Sequence, residues 1–229
     1  MSVMLVNLAS VAYILGSTPS LTIAAPTIGN TLVFLITSFS VSPTVSQVTH
    51  GADNFVQAAS ARGTNSSGTT TMTDIWYVLS TGNTGTTINV TLSGNGRGTL
   101  RCYEYSGTNI SFAAAAGTTD LALTATPIGA SASISGTNGF MVAVGTDLLA
   151  TFNSTLANGG DTYASVDTTN GELGVDLLNV AAGPHAPEFQ LSVADATISI
   201  SNAAFNEGAV ALSAESPLYS FLPGFGGGR

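Results

Sequence analysis

Short apolar runs recur along the whole chain, separated roughly every 8–15 residues by turns that contain Gly or Asn. Within one run, Ile88, Val90 and Leu92 alternate with polar residues, which is the period of two of a strand with one buried face. No segment shows the apolar spacing of an amphipathic helix. The sequence therefore predicts an all-β fold, built as an antiparallel sandwich or barrel.

Two segments depart from this pattern. The apolar run Val3 to Leu15 has no positively charged start and contains Asn7 and Ser10, so we expect a pair of buried strands and not a signal peptide or a membrane span. The segment Ile110 to Ala125 contains four consecutive alanines, which favour helix, followed by Gly117 and two threonines, which oppose it. A short helix and a long surface loop are both open for this segment.

The charge of the chain restricts its partners. Its 229 residues include 13 acidic and four basic side chains, for a net charge of −9. All four basic residues are Arg, and from Glu104 to Gly228 eleven carboxylates occur without any base. Nucleic acids and anionic membranes are both bound through basic clusters. We therefore expect neither a nucleic acid nor a membrane among the partners.

The sequence contains few of the residues from which catalytic and metal sites are built. Its one cysteine, Cys102, excludes an intrachain disulfide and a Cys-based zinc site. Of its two histidines, His50 ends a predicted strand just before a turn and His185 lies in a predicted loop, and no G-x-S-x-G motif is present. We assign no catalytic, cofactor-binding or metal-binding residue and expect a protein that is not an enzyme. The enzyme alternative requires a pocket that joins one of the histidines to two carboxylates.

The densest group of acidic residues lies in one segment of the second half of the chain. Oxygen ligands gathered on loops are typical of calcium sites, but the spacing here does not match an EF-hand loop. A bound calcium ion is therefore an alternative to solvated turn residues. The oxygen-bearing residues of the segment are Asp161, Asp167, Asn170, Glu172 and Asp176.

One acidic residue lies within a predicted strand. Glu104 shares the parity of Leu100 and Cys102, so the three side chains point to the same face. If that face is the core, the carboxylate needs hydrogen-bond donors from Arg62, Arg97 or the backbone amides of a turn. We interpret Glu104 as a structural, buried polar residue.

The C-terminal segment 216–229 carries large apolar side chains between two prolines and a run of glycines. It is too apolar for a free terminus and too rich in Pro and Gly for a core strand. It can pack on its own domain or dock on another chain, and we favour docking. The residues expected to make this contact are Leu218, Tyr219, Phe221, Leu222 and Phe225.

Several short motifs together resemble a known type of domain. Pro26 to Phe34 is a small-residue turn that leads into a strand, and Val48 to Phe55 resembles a V-T-D-x-x-G-N-x-Y hairpin in which His50 replaces the more common acidic residue. The matching order continues through Met72 to Leu79, Ile88 to Leu92 and Tyr103 to Gly107. The succession resembles the jelly-roll-like β-sandwich domains of bacteriophage virion proteins, of the decoration and fibre type, and of bacterial extracellular proteins.

The resemblance covers about residues 20–144 and brings no catalytic residues with it. It implies a jelly-roll-like antiparallel β-sandwich that serves as a scaffold for display, adhesion or assembly. Together with the composition of the tail, it leads us to expect one all-β, jelly-roll-like antiparallel β-sandwich domain over residues 1–215 and an extended docking tail over residues 216–229. A subdomain break near residue 150 is an alternative, because the second half of the chain is the more acidic.

These features predict a non-enzymatic structural protein of a bacteriophage virion, namely a capsid decoration or cement protein, with a head-fibre or tail component as a close variant. On the capsid surface it would stabilise the shell through many contacts, with itself as a homo-oligomer and with the major capsid protein or other virion proteins. By analogy with other decoration proteins, we expect this homo-oligomer to be a trimer at the local threefold positions of the shell. The alternative is a secreted, extracellular carbohydrate-binding or adhesive module with exposed rings such as Tyr103, Tyr105 or Tyr163.

Overall fold

The computed structural model describes residues 2–40, 43–64, 68–107, 109–120, 123–147, 150–159, 161, 163–169, 172–195 and 197–208. Within these ranges the chain forms sixteen strands and no helix. The strands are β1 (Met4–Gly16), β2 (Ser20–Thr22), β3 (Thr31–Ser40), β4 (Val45–His50), β5 (Asp53–Asn54), β6 (Val56–Thr64), β7 (Thr70–Val78), β8 (Thr87–Leu92), β9 (Gly96–Ser106), β10 (Ser111–Asp120), β11 (Ala132–Asp147), β12 (Phe152–Leu156), β13 (Ala164–Thr169), β14 (Glu172–His185), β15 (Glu188–Leu191) and β16 (Ile198–Glu207).

The first nine strands are wound as a jelly roll. β1 pairs with β9, β2 with β8, β3 with β7 and β4 with β5, all antiparallel. This nested pairing is that of a long hairpin folded over on itself, which is how the two Greek keys of a jelly roll arise. It gives a five-stranded sheet in the order β1-β9-β3-β7-β6 and a four-stranded sheet in the order β2-β8-β4-β5.

The remaining seven strands repeat this winding. Their five-stranded sheet runs β10-β16-β11-β14-β13 and matches the first sheet position by position, while β12 and β15 form a two-stranded sheet. The segment 124–128 takes the place of the second strand, through the bridges Thr124↔Asp195 and Ile128↔Glu188. Residue 150 lies between β11 and β12, both of which belong to this second jelly roll.

Four β-layers therefore lie one on another, with a hydrophobic core in each of the three spaces between them. One outer core lies inside the first jelly roll, around Phe34 and Ile88, and the other lies inside the second, around Phe152 and Leu173. The middle core lies between the two five-stranded sheets and mixes residues from both halves of the chain. It includes Val33, Leu35, Ile75, Tyr103, Tyr105, Phe140, Val142, Ala203 and Phe205.

We call this contact between the two jelly rolls the seam. At one end it is aromatic, because Phe140 of β11 stacks on Phe205 of β16 with ring centroids 4.8 Å apart. At the other end it is lined by hydroxyl groups, where the side-chain oxygens of Thr71 on β7 and Ser199 on β16 lie 2.8 Å apart. The side-chain oxygens of Thr73 and Ser201 form a second pair of this kind, 2.9 Å apart, so the seam combines apolar burial with hydrogen bonds between hydroxyl groups.

The structure confirms the predicted fold class, an all-β, jelly-roll-like antiparallel sandwich. β8 shows the predicted alternation, since Ile88, Val90 and Leu92 are buried and the residues between them are exposed. The expected tail over residues 216–229 lies outside the described residues.

Two local predictions were wrong. Residues 111–120 form strand β10, and not a helix or a surface loop, because β16 offers them a hydrogen-bonding edge along their whole length. The small residues of β10 also let it approach β6 closely, and a Cβ on Gly117 would lie 2.3 Å from the Ser60 carbonyl oxygen. Residues 4–16 form one continuous strand, β1, instead of two buried strands, and this strand lies at the edge of its sheet.

Candidate functional site

Glu104 is 3% exposed and lies on β9. Its carboxylate accepts hydrogen bonds from the side-chain amides of Asn7 at 2.5 Å and Asn30 at 2.6 Å, and from the backbone amide of Thr27 at 2.8 Å. In the part of the chain that the structure describes, the donors are therefore amides, and not the arginines considered from the sequence. These bonds tie β1 and the turn before β3 to the centre of the first jelly roll.

His50 is completely buried at the end of β4. Its Nε2–H donates to the Gly85 carbonyl oxygen at 2.6 Å, and its Nδ1 lies 3.3 Å from a carboxylate oxygen of Asp53. Burial by itself raises the pKa of Asp53, but hydrogen bonds from the Thr81 hydroxyl and the Gly82 amide lower this pKa below its ordinary value. The cluster holds two loops of the first jelly roll together.

His185 lies in an open cleft of about 340 Å³, which also contains Ser131 and Asp161. Its Nδ1 is 2.7 Å from an Asp161 carboxylate oxygen, and its Nε2 is 3.0 Å from the Ala181 carbonyl oxygen. Both ring nitrogens therefore face oxygen atoms. A carboxylate on Nδ1 can orient a histidine, and it is the Ala181 carbonyl oxygen that occupies Nε2, the nitrogen that would accept a proton. Asp161 is the one carboxylate among the described residues that line this cleft.

The fold separates the acidic residues that were considered for calcium. Glu172 and Asp176 lie on β14 and are buried at the seam, whereas Asp161 lies in the cleft beside His185. Asn170 lies outside the described residues. No group of three His, Cys, Asp or Glu side chains that could hold a metal ion occurs among the residues described.

The two seam carboxylates have separate partners on the first jelly roll. A carboxylate oxygen of Glu172 lies 3.4 Å from Arg101 Nη1 and accepts a hydrogen bond from the Thr37 hydroxyl. Burial raises the pKa of Glu172, although Arg101 and Thr37 act in the opposite direction. Asp176 accepts a hydrogen bond of 3.2 Å from the Tyr105 hydroxyl, and burial raises the pKa of Asp176 from 3.8 to about 6.

The tyrosines considered for a sugar-binding surface are buried. Tyr103 and Tyr105 are 0% exposed and Tyr163 is 2% exposed, so the expectation that they form an exposed platform was wrong. For Tyr103 and Tyr105 the physical reason is that β9 lies in an inner layer, with one face in the seam and the other in the outer core. Tyr163 is buried in the outer core of the second jelly roll. Among the side chains described, no aromatic ring is exposed, and Tyr77 and Phe112 are half-buried.

The largest group of exposed apolar side chains in the described structure lies on β1. This strand pairs with β9 along one side, and its other side pairs with no strand within the described ranges. A long apolar edge with unpaired backbone groups is the geometry that binds another strand. The exposed side chains are Met4 (58%), Val6 (44%), Leu8 (42%), Val11 (38%) and Ile14 (78%).

The β1 edge carries no charge. Asp53 is the first charged residue of the chain, so β1 to β4 contain no Asp, Glu, Lys or Arg. Charged side chains and prolines usually protect an edge strand from pairing, and β1 has neither. Its irregularities are two bulges, between Leu5 and Asn7 and between Tyr13 and Gly16, which leave Asn7–Tyr13 in regular register with β9.

Comparisons with protein-family models, with curated proteins and with solved structures found no match to this chain. Within the described ranges, no helix is long and apolar enough to cross a membrane. The strand pairing within the chain therefore defines the fold by itself.

The apolar run of β1 is evident in the sequence, but its position at the edge of a sheet is not. The run has apolar residues at both parities, which predicts a strand covered on both faces. No local signal separates a strand between two neighbours in one chain from a strand whose second neighbour is another molecule. The absence of charge before Asp53 is the sequence feature that agrees best with an edge of this kind.

Proposed function

We propose that this protein is a non-enzymatic structural protein of a bacteriophage virion, of the capsid decoration or cement type. The observation that carries the proposal is the uncharged, apolar edge of β1, because an unprotected edge of this length is a liability in a monomer and a binding surface in an assembly. The resemblance of the sequence to virion jelly-roll domains supports the same conclusion.

The layered body suits a protein whose function is mechanical. Three cores and the buried pair of Arg101 and Glu172 join the two jelly rolls along the seam. Such a body positions its contact surfaces at fixed distances from each other. When many copies bind a closed shell, each further contact forms at a high effective concentration, so that individually weak contacts stabilise the whole.

The C-terminal tail provides a second contact in this proposal. The last described residue, Gly208, bonds through its amide to the Asn109 carbonyl oxygen, 3.2 Å away, at the end of the body where β1 begins. The apolar side chains between 216 and 229 would dock on the major capsid protein or on another shell protein, while β1 makes the contact at the edge of the sheet.

The proposal is tested on virus particles purified by density gradient from the cells that encode this chain. We expect peptides of this chain to co-sediment with the major shell protein at a fixed ratio in quantitative mass spectrometry. Peptides found only in the culture medium, and none in the particle fractions, would contradict the proposal and favour the secreted module.

The contribution of the tail is tested with recombinant protein added to shells that lack it. Truncation after Glu215 removes every proposed docking residue, and we expect it to reduce binding by at least about tenfold. Truncation after Phe225 is the matched control, because it removes three glycines and Arg229 and keeps the apolar residues. Equal binding of both truncated proteins would exclude the tail as a docking element.

A further inference from the structure

We infer that the partner at the β1 edge is a second copy of this chain, paired antiparallel through Asn7–Tyr13 so that two five-stranded sheets become one sheet of ten strands. The inference rests on the proposed function, since it names the partner of the surface on which that function depends. It assigns to Leu8, Ser10 and Val11 a role in self-association.

The register of β1 suits pairing with itself. Between its two bulges the strand runs regularly from the pair Asn7↔Glu104 to the pair Tyr13↔Gly98, and the midpoint of this stretch is Ser10. A two-fold axis at Ser10 sets every residue opposite one of the same parity, so that the faces of the two sheets continue into each other. The ladder of seven residues would be about 24 Å long.

The same register sets large side chains opposite small ones. Leu8, which is 42% exposed, would lie opposite the partner's Ala12, and Val11, which is 38% exposed, would lie opposite the partner's Ala9. The two pairs lie on opposite faces of the ladder, because Leu8 is in register with Tyr103 of the seam and Val11 with Leu100 of the outer core, so each face sets a large side chain against a small one. The strand is therefore complementary to its own copy in shape as well as in hydrogen bonding.

Charge favours the same partner. Each copy carries a net charge of −9, and two copies repel each other least where they meet through the part of the chain before Asp53, which carries no charge. A different protein is usually selected through complementary charges, and the β1 edge offers none. A partner at this edge is therefore recognised through backbone hydrogen bonds and apolar contacts, and an identical strand provides both.

The available area is that of a weak dimer. The 13 residues of β1 extend about 44 Å, and a layer about 10 Å thick gives roughly 440 Å² on each copy, or about 900 Å² in total. Specific interfaces begin at about 1,000 Å². A contact of this size suits an assembly that gains its strength from many copies.

The inference is tested by light scattering on the full-length chain at several concentrations. We expect the wild type to have twice the mass of the 22.9 kDa chain. Leu8→Lys should raise the dimer dissociation constant by about 100-fold. Val56→Lys is the matched control, because Val56 is 54% exposed on β6, the opposite edge strand of the same sheet, and we expect its dimer to persist. Circular dichroism checks that both variants are folded.

Cross-linking tests the position of the two-fold axis. Ser10→Cys should form a disulfide dimer under mild oxidation, since directly opposite residues of antiparallel strands have Cα atoms about 4.5–5.5 Å apart, within the range of roughly 4.4–6.8 Å that a disulfide spans. The wild type should remain uncross-linked, because its one cysteine, Cys102, is buried. Val56→Cys should not form a dimer under the same conditions.

Three results would overturn the inference. They are a wild-type monomer at every concentration, an equal effect of lysine at Leu8 and at Val56, and a chain truncated after Glu215 that dimerises where the full-length chain does not. The last result would mean that the tail of the same chain covers β1. A monomer that still co-sediments with virus particles would contradict only this inference, whereas a dimer absent from particles would contradict only the proposed function.

Discussion

At the scale of residues, buried carboxylates fix distant parts of the chain to one another. Glu104 on β9 receives amide hydrogen bonds from Asn7 and Asn30, and Glu172 on β14 contacts Arg101 across the seam. Removing one partner of such a group leaves the other desolvated, which costs more free energy than the bond itself contributes. The polar groups of the interior therefore specify which strands pack together.

Asp176→Asn tests the electrostatics of the seam. Burial raises the pKa of Asp176 from 3.8 to about 6, and the hydrogen bond from Tyr105 offsets part of this effect. A carboxyl with a raised pKa stabilises the fold below about pH 4, and this stabilisation is lost as the pH rises through 6. The free energy of unfolding of the wild type should therefore fall relative to that of the variant between pH 4 and pH 7, in urea titrations followed by Trp76 fluorescence.

The control for this measurement is Asp53→Asn. The pKa of Asp53 is lowered in the folded protein, because hydrogen bonds from Thr81 and Gly82 outweigh the effect of burial. Its stabilising effect is present at neutral pH and is lost as the pH falls, so the difference between wild type and variant should change in the opposite direction. The same sign for both variants would show that the seam does not raise the pKa of Asp176.

At the scale of elements, glycines determine how closely neighbouring strands and sheets approach. A Cβ on Gly98 of β9 would lie 2.0 Å from the carbonyl oxygen of Thr37 on β3, and one on Gly139 of β11 would lie 2.2 Å from that of Phe205 on β16. In both cases the obstructing atom is backbone, which cannot turn aside as a side chain can. The inner sheets therefore need glycine at these positions.

Gly98→Ala should lower the free energy of unfolding by about 1–3 kcal/mol, because β3 has to move away from β9. Gly94→Ala is the matched control, since a Cβ there meets nothing within 4 Å, and it should change stability by less than about 1 kcal/mol. Urea midpoints of both variants measure the difference. Equal stabilities would mean that the sheet absorbs the extra atom without cost.

At the scale of the whole molecule, the seam makes the two jelly rolls depend on each other. Each inner sheet has one face in its own outer core and the other in the seam, where Tyr105, Phe140 and Phe205 are completely buried. Separation of the halves would expose this apolar face to water. We therefore expect the described body to unfold as one cooperative unit.

Coincident unfolding of the two halves is measured with one probe in each. Trp76, the one tryptophan, reports on the first jelly roll, and hydrogen exchange of the β14 amides reports on the second. Phe140→Ala should lower the stability seen by both probes by the same amount, about 3–5 kcal/mol, because Phe140 is 0% exposed at the centre of the seam. Two separate transitions, or a loss confined to β14, would show that the jelly rolls unfold independently.

The sequence by itself determined the fold class, because alternation of apolar residues and the chemistry of turns are local properties. The burial pattern of β8 follows directly from the spacing of Ile88, Val90 and Leu92, and the same rule assigned Glu104 to the face of Leu100 and Cys102. Helix propensity was a weaker guide. The alanines of β10 favour a helix, but the segment forms a strand because it pairs with the edge of β16.

The tertiary structure alone decided the position of each strand. It placed β9 in an inner layer, which buries Tyr103 and Tyr105, and it placed β1 at an edge, which exposes Leu8. Seam pairs such as Thr71 and Ser199 join residues 128 positions apart, and no local pattern encodes such a partner. The physical reason is that the alternation of residues along a strand determines which face each side chain occupies. What covers that face is determined only when all the strands pack together.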